Sequence, residues 1–182
     1  MGKKLFVALA LSLFAIGPAQ ANLLVDTGQP ANTTGGIEFS YPQILVAQFT
    51  LNQNATITAV RGWINAKATG GIQVQIYQDN GDVPGTMVAA QMVEVTSTGA
   101  AWIGASSLNW TLNAGKYWVG FMDTMNSIQG SMPKPAPAPL AKEGSMYPWG
   151  NFVRQDDMDI GVRISGYTAG STPPVNLLLL GD

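Results

Sequence analysis

The chain has no cysteine and no histidine. Without cysteine there is no disulfide, no thiolate metal site and no thiol nucleophile. Without histidine the Ser-His-Asp triad, the common zinc sites and the usual general base near neutrality are excluded. Carboxylates, lysine, tyrosine and serine remain for catalysis, which removes most hydrolase mechanisms. Charge is scarce too: Asp, Glu, Lys and Arg make up 11% of the residues, against about 25% in soluble domains. Asn, Gln, Ser and Thr carry the polar surface instead, a composition suited to neutral hydrogen bonding with sugars or to association with like chains. No basic run lies beyond the N-terminus, so the electrostatic footprint of a nucleic-acid binder is missing.

The N-terminus itself has three parts. Met1 to Lys4 is a basic head, Leu5 to Ile16 an unbroken run of apolar and small residues, and Gly17-Pro18 a break. Ala19-Gln20-Ala21 then offers the small-x-small pattern that signal peptidase cuts. An apolar core of about 12 residues is short of the roughly 20 that span a membrane. The expectation is a secretory signal over 1–21, cleavage after Ala21 and a mature chain beginning at Asn22, secreted or held at the cell surface. Taking 21 residues from 182 leaves 161, with seven basic against eleven acidic side chains and a net charge of −4. That is one domain with room for a core and no transmembrane segment.

Short apolar runs separated by Gly and Pro predict strands near 22–26, 43–51, 56–66, 71–78, 86–95, 100–112, 115–123 and 158–167. Ile72, Val74 and Ile76 share one face, and Gln73, Gln75 and Tyr77 the other. Ile160, Val162 and Ile164 repeat that period against Gly161, Arg163 and Ser165. Asp79-Asn80-Gly81-Asp82 reads as a tight turn, as does Asn113-Ala114-Gly115. No stretch after Ala21 keeps a helical apolar period for a dozen residues. The pattern predicts an all-β domain over 22–168: a two-layer antiparallel sandwich of seven to nine strands with jelly-roll or Greek-key connections. Residues 124–144, with Met132-Pro-Lys-Pro-Ala-Pro-Ala-Pro139, are expected to form a long polyproline-like loop, either a solvated excursion or a binding loop. Residues 169–182 read as a linker and a short apolar tail.

Four stretches carry a resemblance: Ala47 to Leu51, Ala55 to Trp63, Val74-Gln-Ile-Tyr-Gln-Asp-Asn-Gly-Asp-Val-Pro-Gly-Thr86, and Leu112-Asn-Ala-Gly-Lys-Tyr-Trp-Val119. Over roughly 43–167 the chain resembles exported bacterial β-sandwich domains of the PEP-CTERM class, which exosortase systems sort to the surface or matrix. Thr172-Pro-Pro-Val-Asn-Leu-Leu-Leu-Leu-Gly181 looks like the opening of such a sorting tail, without its glutamate, most of its helix or its arginines. The resemblance implies a surface or matrix role and brings no catalytic residues.

Candidate sites follow from residue type. Asp79, Asn80 and Asp82 put three oxygen donors on one turn, which is plain hairpin chemistry or, alternatively, a structural calcium site. No other cofactor is implied. Asp156, Asp157 and Asp159 repel one another unless compensated, by Arg154, Arg163 or a cation. Trp63 and Trp118 read as core; Trp102 and Trp110 share a face if their strand is unbroken. Tyr147 and Trp149 follow the rigid proline segment and form either a sugar-stacking platform or a plug at one end of the sandwich. Glu38, Glu94, Asp123 and Glu143 are the carboxylates a glycosidase would draw on, but no motif pairs them, so no enzyme is expected. Asn32, Asn54 and Asn109 are glycosylation acceptors by pattern only. The reading is a non-catalytic extracellular sandwich that binds polysaccharide or another matrix polymer. The alternatives are a self-associating structural subunit and a carboxylate-dependent hydrolase.

Overall fold

The computed structural model describes residues 21–148 and 151–168. The expected signal up to Gln20, the tail from 169 and the candidate Trp149 lie outside the described residues. The described chain is all strand and connection: β1 (Asn22–Asp26), β2 (Ile37–Glu38), β3 (Ile44–Leu51), β4 (Ala55–Ala66), β5 (Gly70–Asp79), β6 (Pro84–Val95), β7 (Gly99–Ala105), β8 (Trp110–Leu112), β9 (Gly115–Asp123), β10 (Ser131–Met132), β11 (Glu143–Met146), β12 (Phe152–Arg154) and β13 (Val162–Thr168).

Two antiparallel sheets pack face to face. One has seven strands, with β13 and β4 at its centre, β1 beyond β13, β7 and β8 on the far side of β4, and β10 and β2 continuing past the end of β13. The other has six, in the order β12-β11-β3-β9-β5-β6. The chain changes layer eight times, between β2 and β3, β3 and β4, β4 and β5, β6 and β7, β8 and β9, β9 and β10, β10 and β11, and β12 and β13, as the expected sandwich requires. Ile72, Val74 and Ile76 from one sheet meet Ile57, Val60, Ile64, Val162 and Ile164 from the other, all fully buried, so both alternations seen in the sequence mark inner faces.

Two expectations change. Residues 100–112 form two strands rather than one: Ser107 adopts φ 57° and the Leu108 amide turns in to the Thr58 carbonyl at 2.9 Å, so Trp102 and Trp110 sit on separate strands. The segment 124–144 is not a solvated excursion. Ile128 and Met132 are fully buried, Ser131 pairs in β10, and Glu143 and Gly144 open β11 inside the six-stranded sheet. The prolines leave few amides, and two of those between them are used: Ala136 donates to the Asp159 carbonyl (2.7 Å) and Ala138 to that of Thr27 (2.8 Å). Lys134-Pro135 is cis, which a regular polyproline helix excludes. Trp63 and Trp118 are buried in the core as expected, and both stand outside the layer between the sheets. Tyr117, Val119 and Phe121 take the inner face of β9, which sends Trp118 outward. Trp63 likewise alternates with the inner Ile64 and is roofed by the 27–36 loop, its indole N–H donating to the Asn32 carbonyl at 3.3 Å.

Candidate functional site

The outer face of the six-stranded sheet carries a second, smaller apolar cluster and a groove. Period-2 alternation delivers Gln73, Gln75 and Tyr77 from β5, Trp118 and Met122 from β9, and Ile44 and Val46 from β3 to this one face. The β11–β12 hairpin folds Met146 and Phe152 onto it from one side, and β6 contributes Pro84, Gly85 and Met87 from the other. Gly120 lies between them. A Cβ there would stand 3.0 Å from Ile44 and 3.3 Å from Tyr77, so glycine lets these two side chains close over the floor. The groove is about 460 Å³ and open along one side.

Its walls are thioether and aromatic, and its polar row is made of neutral groups. Gln75 donates to Gln73 at 2.5 Å, and the Tyr77 hydroxyl donates to the Gln75 carbonyl oxygen. Burial pushes the Tyr77 phenol up to about 12, so it remains a neutral donor throughout the physiological range. Chained donors of this kind hold one another's rotamers. Trp118 anchors the arrangement from below. Fully buried, it meets Phe152 edge to face at 5.2 Å, and its indole N–H donates to Asp79 Oδ1 at 2.8 Å.

That bond explains the acidic turn. Asp79 Oδ1 also accepts from Gln48 Nε2 (2.6 Å), and Oδ2 accepts the Asp82 amide (3.2 Å). Asp82 Oδ1 pairs with Lys142 Nζ at 2.5 Å and with Lys116 Nζ at 3.5 Å. The positive φ of the turn falls on Gly81 and Asp82, and Asn80 closes it by donating its amide to the Val83 carbonyl. Burial raises the Asp79 carboxyl, but the bonds from Trp118, the Asp82 amide and Gln48 outweigh it and hold the group below the ordinary carboxylate range. Bonds from Lys142 and Gln48 hold Asp82 down at about 2. Both Asp79 oxygens and Asp82 Oδ1 in the calcium reading therefore face N–H donors, tying the β5–β6 turn to β3, β9 and Lys142. Among the described residues no group of three or more acidic side chains is placed to hold a metal ion.

The other candidates separate. Tyr147 is half-buried and leads into Pro148, which lines the groove, so the described half of the proposed aromatic platform adjoins its rim. Arg154 compensates Asp156 at 2.5 Å as expected, but Arg163 turns away to Asp26 at 3.0 Å. Of the four carboxylates, Glu38 pairs with Lys67 at the surface and Glu94 is exposed on β6. Asp123 is fully buried and spent on a turn, accepting the amides of Ser127, Ile128 and Gln129. Glu143 differs: fully buried, its Oε1 accepts the Ile160 amide at 3.2 Å while Oε2 has no partner among the described residues. Burial, followed by the nearby charges of Asp159 and Asp156, pushes its carboxyl up to about 7 against the pull of backbone donors at Ile160 and Asp159.

The sequence marked Gln73, Gln75 and Tyr77 as one face but did not mark Met87, Met122, Met146 or Phe152 as their companions. Met122 was reachable, standing four residues after Trp118 on the same strand face. Met146 and Phe152 were not, because their hairpin emerges from the proline-rich stretch. No family model and no curated protein matches the chain.

Proposed function

We propose that this chain is an exported, non-catalytic β-sandwich that binds glycan in the groove on the outer face of its six-stranded sheet. The observation that carries the reading is the groove's lining: a row of side-chain amides and a phenol, already linked to one another, between apolar walls from Met87, Met122, Met146 and Phe152. Sugar rings present that combination in complement, with apolar ring faces and hydroxyl groups that both donate and accept. A preorganised polar row loses little entropy on binding, and the volume suits a small ligand or a few residues of a polymer. Among the described residues no carboxylate lines the groove, which supports binding without hydrolysis. The N-terminal signal pattern supports a place outside the cytoplasm or on the surface. Among the described residues no helix is long and apolar enough to cross a membrane.

Affinity electrophoresis through neutral polysaccharides (cellulose derivatives, xylan, dextran, starch) tests the reading. Gln73 is half-buried at the groove. Gln73→Ala is expected to weaken retention on the bound polymer by about tenfold, the loss of roughly one hydrogen bond, and to lower the melting temperature modestly because Gln75 Nε2 loses its acceptor. No retention on any polymer, or equal retention by the variant, would count against it.

One observation favours self-association as a second reading. The long edge strand β6 exposes Met87, Val88 and Met92 at 42–52% and carries a single charge, Glu94. Such an edge invites pairing with another strand. If β6 mediates assembly, light scattering will show mass rising with concentration, and Met92→Lys will return the protein to monomer. A monodisperse wild-type monomer ends that reading.

A further inference from the structure

The outer face of the seven-stranded sheet holds an arrangement unrelated to the groove. The chain has only three arginines, and two of them, Arg61 on β4 and Arg163 on β13, are direct cross-strand partners. Like charges directly opposite one another destabilise a sheet unless something compensates them. Compensation here is partial. Arg163 donates through Nε to Asp26 Oδ1 at 3.0 Å, while Arg61 is exposed and has no acidic partner among the described residues.

The Arg163 guanidinium is also held in place from a second side. It lies 4.1 Å from the centre of the Trp102 ring, and Trp102 is in turn braced edge to face against Trp63, its cross-strand partner, at 5.4 Å. Asp26 takes the Nε edge of the fork and Trp102 its flat face, so the Nη groups make no hydrogen bond to a described residue. A planar fork with fixed orientation beside a second, free guanidinium is the geometry that recognises carboxylate or sulfate.

We infer that Arg61 and Arg163 form a binding site for the acidic groups of an anionic polysaccharide, with Asp26, Trp102 and Trp63 as positioning residues. The net charge of −4 after Ala21 repels such a polymer at long range, so attraction has to come from this local pair and is sensitive to salt. The inference is independent of the groove, which lies on the other sheet and is lined by neutral groups.

Affinity electrophoresis through dextran sulfate, polygalacturonate and neutral dextran tests it, using the described domain with its flanking residues intact. Retention by either acidic polymer, lost at about 0.5 M salt, is expected, whereas any retention on dextran does not depend on salt. The polymer retained more strongly tells sulfate from carboxylate. Arg61→Gln should reduce retention by about tenfold or more with the melting temperature unchanged, since Arg61 is exposed and unpaired. Gln73→Ala in the groove should leave it intact. Equal retention of wild type and Arg61→Gln, or no retention on either acidic polymer, overturns the proposal, whatever the neutral polymers show.

Discussion

Stability is expected to fall as the pH rises from 4.5 to 7, the reverse of what most buried carboxylates cause. Glu143 is fully buried, with one oxygen unpartnered and Asp156 and Asp159 nearby, and its carboxyl is pushed up from 4.5 to about 7. Burial disfavours the charged form, so the folded chain holds the proton more tightly than the unfolded chain does. The stabilisation is fully present below 4.5, where Glu143 is protonated in both states, and is lost as the pH climbs through 7. The interval between those values corresponds to about 3 kcal/mol. Glu143→Gln keeps an acceptor for the Ile160 amide and cannot ionise, so it should flatten that slope and exceed wild type in stability above pH 7. On the acid side the sign reverses. Asp79 and Asp82, both held below their ordinary 3.8, contribute stability above that value and lose it as the pH falls through their lowered values, about 2 for Asp82. Urea midpoints from pH 3 to 8 should therefore peak near pH 4–5. A profile that rises monotonically to pH 7, or one unchanged by Glu143→Gln, would refute this account of the buried carboxylate.

The second large effect is expected at Trp118. Although it stands outside the inter-sheet core, it is completely enclosed, braces Phe152 and supplies Asp79 with its indole donor. Trp118→Ala removes all three at once and leaves a cavity beneath the groove. The cost should be roughly 3–5 kcal/mol, the range for large aromatic truncations in cores. Trp118→Phe keeps most of the packing and removes only the donor to Asp79, which retains Gln48; about 1–3 kcal/mol is expected. Chemical unfolding of both variants at pH 5 measures the difference. If Trp118→Ala lies within about 1 kcal/mol of wild type, the outer cluster is an ornament and the groove has no rigid floor.

The two sheets were legible because alternation carries its own geometry. Ile72, Val74 and Ile76 could not all be buried on a helix, and on a strand they must share a side. The same rule put Gln73, Gln75 and Tyr77 together and so marked half of the groove. It failed where a strand is apolar on both faces. Tyr117-Trp118-Val119 offers no polar residue to say which side meets the other sheet, so Trp118 reads as core without a side, and its burial comes from Phe152 and Met146 on the outer face. Those two could not be anticipated, since the prolines before them suggest an exposed loop. In the fold, Ile128 and Met132 dock that segment, and the amides of Ala136 and Ala138 are spent on Asp159 and Thr27. Glu143 was named by residue type alone. That its carboxyl would be enclosed depends on β11 entering the sheet beside β3, a pairing that no local pattern encodes.

That pairing also governs how the chain can acquire its structure. β3 is completed on one side by β11, with Leu45 opposite Ser145, and β1 is held by β13, with Asn22 opposite Gly166. Of the long strand pairs, only β5 with β6 joins consecutive segments through a tight turn, which the Asp82 amide closes locally on Asp79 Oδ2. Loop closure over about a hundred residues or more must precede the pairing of β11 with β3 and of β13 with β1 and β4, so folding of this sandwich is intrinsically slow. A chain released segment by segment, as in export, has unpaired β1 and β3 edges until β11 and β13 have emerged. The low charge that suits the finished surface leaves those edges unprotected meanwhile. The β5–β6 hairpin, the most local of the long pairings, is the natural place for order to begin.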